Sequence, residues 1–182
     1  DGQPILFPGA PGSGKTTLSA ALVIKGARYY SDEFALIDPT SLMAYPYPKA
    51  FCLKEASIPI ISRLKEGLEL DSRWIKKQKG RVAFLDPWRI KDNPIASAAQ
   101  IKHIVFPRHD GKSSPELLPI SKAEAVFELG RNSFSILQYG GSGIRLLASI
   151  ARSATCHRLQ MGDLEASCEL LTNLVRNDTT HS

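Results

Sequence analysis

Three observations predict an α/β fold built around a phosphate-binding loop. The run Gly9-Ala10-Pro11-Gly12-Ser13-Gly14-Lys15-Thr16 fits the pattern G-x-x-x-x-G-K-[ST]. It stands between a short apolar run, Pro4-Ile5-Leu6-Phe7-Pro8, which reads as a strand, and Thr17-Leu18-Ser19-Ala20-Ala21-Leu22-Val23-Ile24-Lys25, which reads as a helix closed by Gly26. Downstream, short β-type runs alternate with segments of helical spacing across the 182 residues. The expectation is one P-loop nucleotide-binding domain over residues 1–176, a central sheet flanked by helices, with a disordered tail at 177–182.

The residue types in the loop follow from anion chemistry. Glycines let the backbone turn tightly and approach a ligand with no Cβ in the way. Backbone N–H groups of the loop and the positive end of the helix dipole then converge on a polyphosphate. Gly9, Ala10, Pro11, Gly12, Ser13, Gly14, Lys15, Thr16 and Thr17 are the predicted nucleotide-binding residues. Lys15 reaches toward the β- and γ-phosphates and the Thr16 hydroxyl toward Mg²⁺, so ATP or GTP with Mg²⁺ is the expected ligand.

Composition narrows the class. The chain is ordinary for a globular domain, and its net charge of +5 is mild. No apolar run reaches membrane-span length and no signal peptide is evident, while Cys52, Cys156 and Cys168 read as buried thiols of a reducing compartment, which points to the cytoplasm. The chain begins abruptly before its first strand, which suggests either a trimmed sequence or a longer protein on the N-terminal side. His103, His109, His157 and His181 show no zinc-ligand spacing. No basic helix carries interleaved aromatics, so nucleic acid is not an expected partner.

The elements follow in order. Ala27-Arg28-Tyr29-Tyr30-Ser31 reads as a strand ending in Asp32-Glu33, and Phe34–Asp38 as a second apolar run stopped by Pro39. Residues 39–49 look like an extended loop and Ala50–Leu53 a strand. Ser57–Leu70 has helical spacing through Ile58, Ile61, Leu64 and Leu68. Residues 69–80 read as charged loop, Arg81–Asp86 as a strand, and 88–99 as a linker. Ile101–Phe106 is a strand that Pro107 should end, followed by polar loop to Pro115. Ser121-Lys122-Ala123-Glu124 is a capping box opening a helix to about Leu129. Gly140-Gly141-Ser142-Gly143 lacks a Lys or Thr partner and reads as a flexible entry to a helix with Ile144, Leu147, Ala148 and Ala151 inward. Thr155–Gln160 is a strand, and Asp163 caps a last helix that buries Leu164, Cys168, Leu171 and Val175.

A P-loop enzyme needs a carboxylate near the metal and the γ-phosphate, and two places compete. Arg81–Asp86 has the look of a Walker B strand, but Asp86 reads as a turn residue before Pro87. Asp32-Glu33 ends the strand expected straight after the P-loop helix, beside the P-loop strand, and sites form at the carboxyl ends of strands. Asp32 is therefore the expected catalytic base, with Glu33 beside it; Thr16, Asp32 and Glu33 are the expected metal contacts, and Lys15 a catalytic cation. Arg108, just after a strand, is a candidate for further positive charge on the transferring phosphoryl group, as are Lys54-Glu55; a surface ion pair is the plainer role for each.

These residues resemble a known family. The P-loop followed by Gly26-Ala27-Arg28-Tyr29-Tyr30-Ser31-Asp32-Glu33 is similar to the catalytic domain of HPr kinase/phosphorylase, in which a Gly-led strand ends in two acids. The runs Pro48–Ser57, Gly80–Leu85, Ile104–Arg108 and Cys156–Leu159 look more like the HPr-kinase-related serine kinases, including tailoring kinases of lasso-peptide pathways. The resemblance spans nearly the whole chain, and its specific part is the P-loop with the acidic pair. It implies a fold similar to phosphoenolpyruvate carboxykinase, ATP- and Mg²⁺-dependent phosphorylation of a serine on a protein or peptide such as a lasso-type precursor, and homo-oligomers. Glu33 stands where HPr kinase has Asp, and the glycine- and arginine-containing signature of that enzyme is not evident around Leu53 to Ile61, which argues against HPr as substrate and against phosphorolysis. A small-molecule P-loop kinase and a non-catalytic ATP-binding module are the alternatives; residues 88–99, with only Arg89 and Lys91, make a poor arginine lid for the first. A polypeptide acceptor needs a docking surface, for which Tyr45-Pro46-Tyr47-Pro48 and the basic run Lys76–Arg81 are the places indicated.

Overall fold

Parallel strands meet helices in this chain, and the computed structural model describes residues 3–76, 80–109, 114–134 and 136–179. The elements are β1 (Ile5–Leu6), α1 (Lys15–Ile24), β2 (Leu36–Ile37), β3 (Met43–Tyr45), β4 (Phe51–Lys54), α2 (Ile58–Leu64), β5 (Asp71–Lys76), β6 (Gly80–Leu85), α3 (Pro87–Ile90), β7 (Ala99–Gln100), β8 (His103–His109), β9 (Glu116–Pro119), α4 (Lys122–Arg131), α5 (Gly140–Ser153), β10 (Thr155–Met161) and α6 (Leu164–Thr179). The mixed α/β class is as expected. The strands form three sheets rather than one central sheet, ordered β1-β8-β10-β9, β2-β3-β7 and β4-β6-β5. Lys77, Gln78 and Lys79 of the basic run, Asp110 with the rest of the polar loop to residue 113, His181 and the last residues of the expected tail lie outside the described residues.

Two compact units divide the chain: residues 1–14, 37–44 and 98–182, and residues 15–36 and 45–97. In the first, β1, β8 and β10 run parallel and β9 closes the edge antiparallel to β10. The strands are apolar because helices cover them: Ile104, Val105 and Leu159 are fully buried, each worth about 1.5–3 kcal/mol of burial. Helices α5 and α6 pack against β10, and α4 packs on α5. Ser121 caps α4 by accepting a hydrogen bond from the Glu124 N–H at 3.2 Å, and Asp163 caps α6 by accepting from Ala166 at 2.9 Å. β3 pairs antiparallel with β7.

Several boundaries differ from expectation. Pro107 does not end its strand; it lies inside β8, opposite Leu159 of β10. β1 reaches only to Leu6 opposite Ile104, so at Pro107 the strand has a partner on one side only and can spare an N–H. The four residues Gly140–Gly143 are no flexible entry but the first turn of α5. A Cβ on Gly143 would stand 2.8 Å from Ile136 Cδ1 and 3.2 Å from its carbonyl oxygen, so close packing selects glycine there. Ile144 is 60% exposed, and Ile150 takes the inward place beside Leu147 and Ala151. Helix α6 continues to Thr179, through the start of the expected tail, with Arg176 favourably placed in its last turn. β9 follows the expected polar loop, in the stretch after Pro115 to which the sequence reading gave no element, and ends at Pro119.

The second unit centres on the antiparallel sheet β4-β6-β5 and on α1. Phe51, Leu53, Ala83 and Leu85 share one face of the sheet and are fully buried, as is Val82 on the other face. Helix α1 buries Leu18, Ala20, Ala21, Leu22 and Val23, and packs against α2, α3 and β4. Strand β5 occupies part of the expected 69–80 loop; its charges mask the period-two pattern, and β6 supplies the pairing. Helix α2 stops at Leu64 because Lys65 turns extended, its Nζ donating to the Ile90 carbonyl. The expected strand Ala27–Ser31 does not form. Tyr29 makes one isolated parallel bridge to Ile95, its N–H donating to the Pro94 carbonyl at 2.7 Å while its own carbonyl accepts from Ala96 at 2.9 Å.

Candidate functional site

The glycine loop leaves β1 at the carboxyl end of the parallel sheet, the end at which α/β proteins build their sites. Within the first unit, residues 9–14 are held by a turn in which the Ser13 N–H donates to the Ala10 carbonyl at 3.2 Å. Gly12 and Gly14 have φ of 94° and 90°, a region L side chains avoid. A Cβ on Gly14 would stand 3.1 Å from Met161 Cε and 3.8 Å from His109 Cβ. The loop therefore lies against the last residues of β10 and β8. Pro11 and Gly12 are exposed, which leaves the loop backbone open to a ligand.

Lys15 begins α1, so Lys15, Thr16 and Thr17 form the first turn of a ten-residue helix with no acidic side chain there. The Thr16 hydroxyl donates to Asp32 Oδ2 at 3.2 Å. The Thr17 hydroxyl donates to Ser57 Oγ at 2.7 Å. Thr16, Lys15 and Asp32 are thus brought together within the second unit, although Asp32 does not end a strand beside β1 as the sequence reading supposed. The neighbour of β1 is β8.

Charge at the site follows from burial. Asp32 is pushed above the usual carboxylate range, first by burial and further by the Glu33 charge; the Thr16 hydrogen bond, the nearby Cys52 N–H and Lys15 oppose this. Its Oδ1 is buried and has no hydrogen-bond partner. Burial also pulls the Lys15 ammonium below its usual value; Asp32 works against that shift and Lys54 adds to it. Tyr29, which the sequence reading passed over, packs on Phe51 with ring centroids 4.4 Å apart, and its hydroxyl donates to the Lys49 carbonyl at 3.0 Å. Burial, then the Asp32 charge, pushes its phenol far above the ordinary value.

Glu33 is set differently from Asp32. It forms an ion pair with Lys49 at 2.8 Å, both side chains being nearly half exposed. Arg108 belongs to the first unit, on β8 next to His109, and its guanidinium lies 3.6 Å from the Glu128 carboxylate that Arg131 also approaches at 3.9 Å. Glu55 lies 3.9 Å from Arg81. Asp86 caps α3, accepting from the Trp88 N–H at 3.0 Å, the turn role its place before Pro87 indicated. Among the described residues no group of three or more His, Cys, Asp or Glu side chains could hold a metal ion, and no disulfide joins the cysteines. No helix among them is long and apolar enough to cross a membrane.

The Lys49 and Ser57 contacts were not visible in sequence; both residues stand far along the chain from the loop, and no motif marks them. No family model matches the chain, and no curated protein or solved structure matches it significantly.

Proposed function

We propose that this chain is an ATP- and Mg²⁺-dependent kinase that transfers the γ-phosphate to a serine hydroxyl of a protein or peptide, a P-loop enzyme of the HPr-kinase-like kind. The observation that carries the reading is the 3.2 Å contact from the Thr16 hydroxyl to the buried carboxylate of Asp32, one residue past Lys15. A P-loop threonine and a catalytic acid are the two protein oxygens that a phosphoryl-transfer site must bring together.

The residues fit the groups they would hold. Gly12 and Gly14, at positive φ, leave the loop amides free of Cβ atoms for the phosphates. Asp32 Oδ1, buried and without a partner, together with the Thr16 hydroxyl, offers the oxygens a hard cation prefers. Bound there, Mg²⁺ would supply charge neutralisation at the β- and γ-oxygens. Lys15 adds a positive charge, and its partial burial strengthens its field by excluding water. Burial raises the basicity of Asp32, which suits it to take the acceptor serine proton. As the serine oxygen forms its bond to the γ-phosphorus, the bond from that phosphorus to the bridging oxygen breaks and ADP leaves, the proton passing to Asp32. Glu33, engaged with Lys49, acts on Asp32 through its charge rather than as a second base.

The test is Asp32→Asn, which keeps shape and removes the base. Nucleotide affinity measured with a fluorescent ATP analogue should persist, and transfer of labelled phosphate to a panel of proteins, serine peptides and small alcohols should fall by about 10²–10⁴-fold. Normal turnover by the variant, or transfer to small alcohols alone, overturns the reading.

A further inference from the structure

The carboxyl end of the parallel sheet in the first unit carries a polar side chain that the proposed chemistry does not use. β1 pairs with β8 only as far as Leu6 opposite Ile104, and β8 then runs on to His109, opposite Met161 at the end of β10. The Gly9–Gly14 loop lies against these two strand ends. Gly14 shows which face it meets: a Cβ there would stand 3.1 Å from Met161 Cε and 3.8 Å from His109 Cβ. Successive strand residues point to opposite faces, so Arg108 is directed away from the loop. Its guanidinium lies 3.6 Å from the Glu128 carboxylate of α4. Arg158, which shares that other face through its pairing with Phe106, likewise reaches Glu124 of α4. His109 is therefore the polar side chain that β8 presents to the loop. It is exposed, and among the described residues it has neither a hydrogen-bond nor an ion-pair partner.

The amides of a glycine-rich phosphate loop take the α- and β-phosphates, and Gly14 belongs to that loop. A side chain rooted against Gly14 is a close neighbour of any group those amides hold. An imidazole donates a hydrogen bond in both its neutral and its charged form, so this use requires no particular charge state. We propose, on the kinase reading of the Gly9–Gly14 loop as the nucleotide site, that the His109 imidazole donates a hydrogen bond to the diphosphate of the nucleotide seated there. The contact serves the leaving group. As the bond to the γ-phosphorus breaks, charge grows on the departing ADP, and a donor already in place steadies it without reorganisation. The donor that the sequence suggested at Arg108 is supplied instead by the next residue, on the face the loop occupies.

The experiment is calorimetric titration of the full chain with ADP, AMP and a non-hydrolysable ATP analogue, each with Mg²⁺, in wild type, His109→Phe, His109→Gln and Arg108→Ala. His109→Phe keeps a flat ring against Gly14 and removes the donor, whereas His109→Gln keeps a donor and gives up the ring. ADP and the ATP analogue should bind His109→Phe about tenfold or more weakly, as loss of one hydrogen bond to a charged group does. AMP, which has no diphosphate, should bind wild type and His109→Phe alike. His109→Gln should retain most of the affinity, and Arg108→Ala should lose less than His109→Phe. A role in packing alone predicts the reverse order, with Phe retaining affinity and Gln losing it. Imidazole ¹⁵N NMR gives a second readout: the signal missing from His109→Gln should move when ADP is added to wild type and stay in place when adenosine is added. Thermal unfolding identifies a variant that has lost its fold, and the wild-type NMR shift keeps the test decisive if one has. Full ADP affinity in His109→Phe, equal losses in Phe and Gln, a greater loss in Arg108→Ala, or an unmoved imidazole signal overturns the proposal. A wild-type chain that binds no nucleotide overturns the kinase reading and this contact with it. If the variants bind ADP in the expected order yet no acceptor is ever phosphorylated, the kinase reading fails and the His109 contact stands.

Discussion

Gly14→Ala separates two ways in which the loop depends on glycine. At φ of 90° an L residue carries backbone strain of about 1–2 kcal/mol, by analogy with the left-handed region. Loss of unfolded-state freedom returns about 0.4–1 kcal/mol. The added methyl also meets Met161 Cε at 3.1 Å and Sδ at 3.3 Å, but these are the end of a flexible thioether that can retreat by a few tenths of an ångström. The net cost is about 1 kcal/mol, a fall in Tm of about 2–4 °C for a chain of this size. Nucleotide binding should suffer more than folding. Relaxing the strained φ turns the adjoining amide away from its ligand, and a charge-assisted hydrogen bond of about 1.5–3 kcal/mol corresponds to about tenfold or more in Kd. Calorimetric titration with ADP and Mg²⁺ reads the affinity and a thermal scan the stability. Met161→Leu, which removes the crowding thioether while conserving volume, should not restore affinity in the double variant. Wild-type affinity in Gly14→Ala, or full rescue by Met161→Leu, refutes the backbone argument.

Two further predictions concern carboxylates. Glu33→Gln removes a negative charge that raises Asp32, so the Asp32 pKa should drop and the acidic limb of the kcat/KM profile for peptide phosphorylation should move to lower pH; an upward or absent shift would show that Asp32 is not the group titrating. Asp86→Ala removes the cap of α3, costing about 1 kcal/mol and about 2–4 °C in Tm, with phosphoryl transfer unchanged; lost transfer in a folded variant would return Asp86 to the site.

Much of the chain was readable without coordinates, for reasons that differ by element. The capping box at Ser121 and the Asp163 cap were legible because their chemistry is local: a few consecutive residues satisfy one another's N–H groups. β8 and β10 were legible as apolar runs. What failed depended on distant partners. Nothing in Ala27–Ser31 shows that only the 94–96 segment would meet it, so a strand-like run became a single bridge. Nothing in Asp71–Lys76 shows that Gly80–Leu85 would pair with it. Pro107 reads as a stop and is tolerated because of where β1 happens to end. Asp32 was identified from its place after the P-loop helix by an argument about strand adjacency that the fold does not follow, yet its carboxylate still meets Thr16.

The paired threonines at the start of α1 have a mechanical consequence. Successive residues point about 100° apart around a helix, so Thr16 and Thr17 face different directions. Each is tethered, one to Asp32 and the other to Ser57. Two tethers at different azimuths oppose roll of the helix about its axis, adding to the packing of Leu18, Ala20, Ala21, Leu22 and Val23. Its angular setting, and with it the bearing of Lys15 one residue earlier, is locked like a dial pinned at two marks.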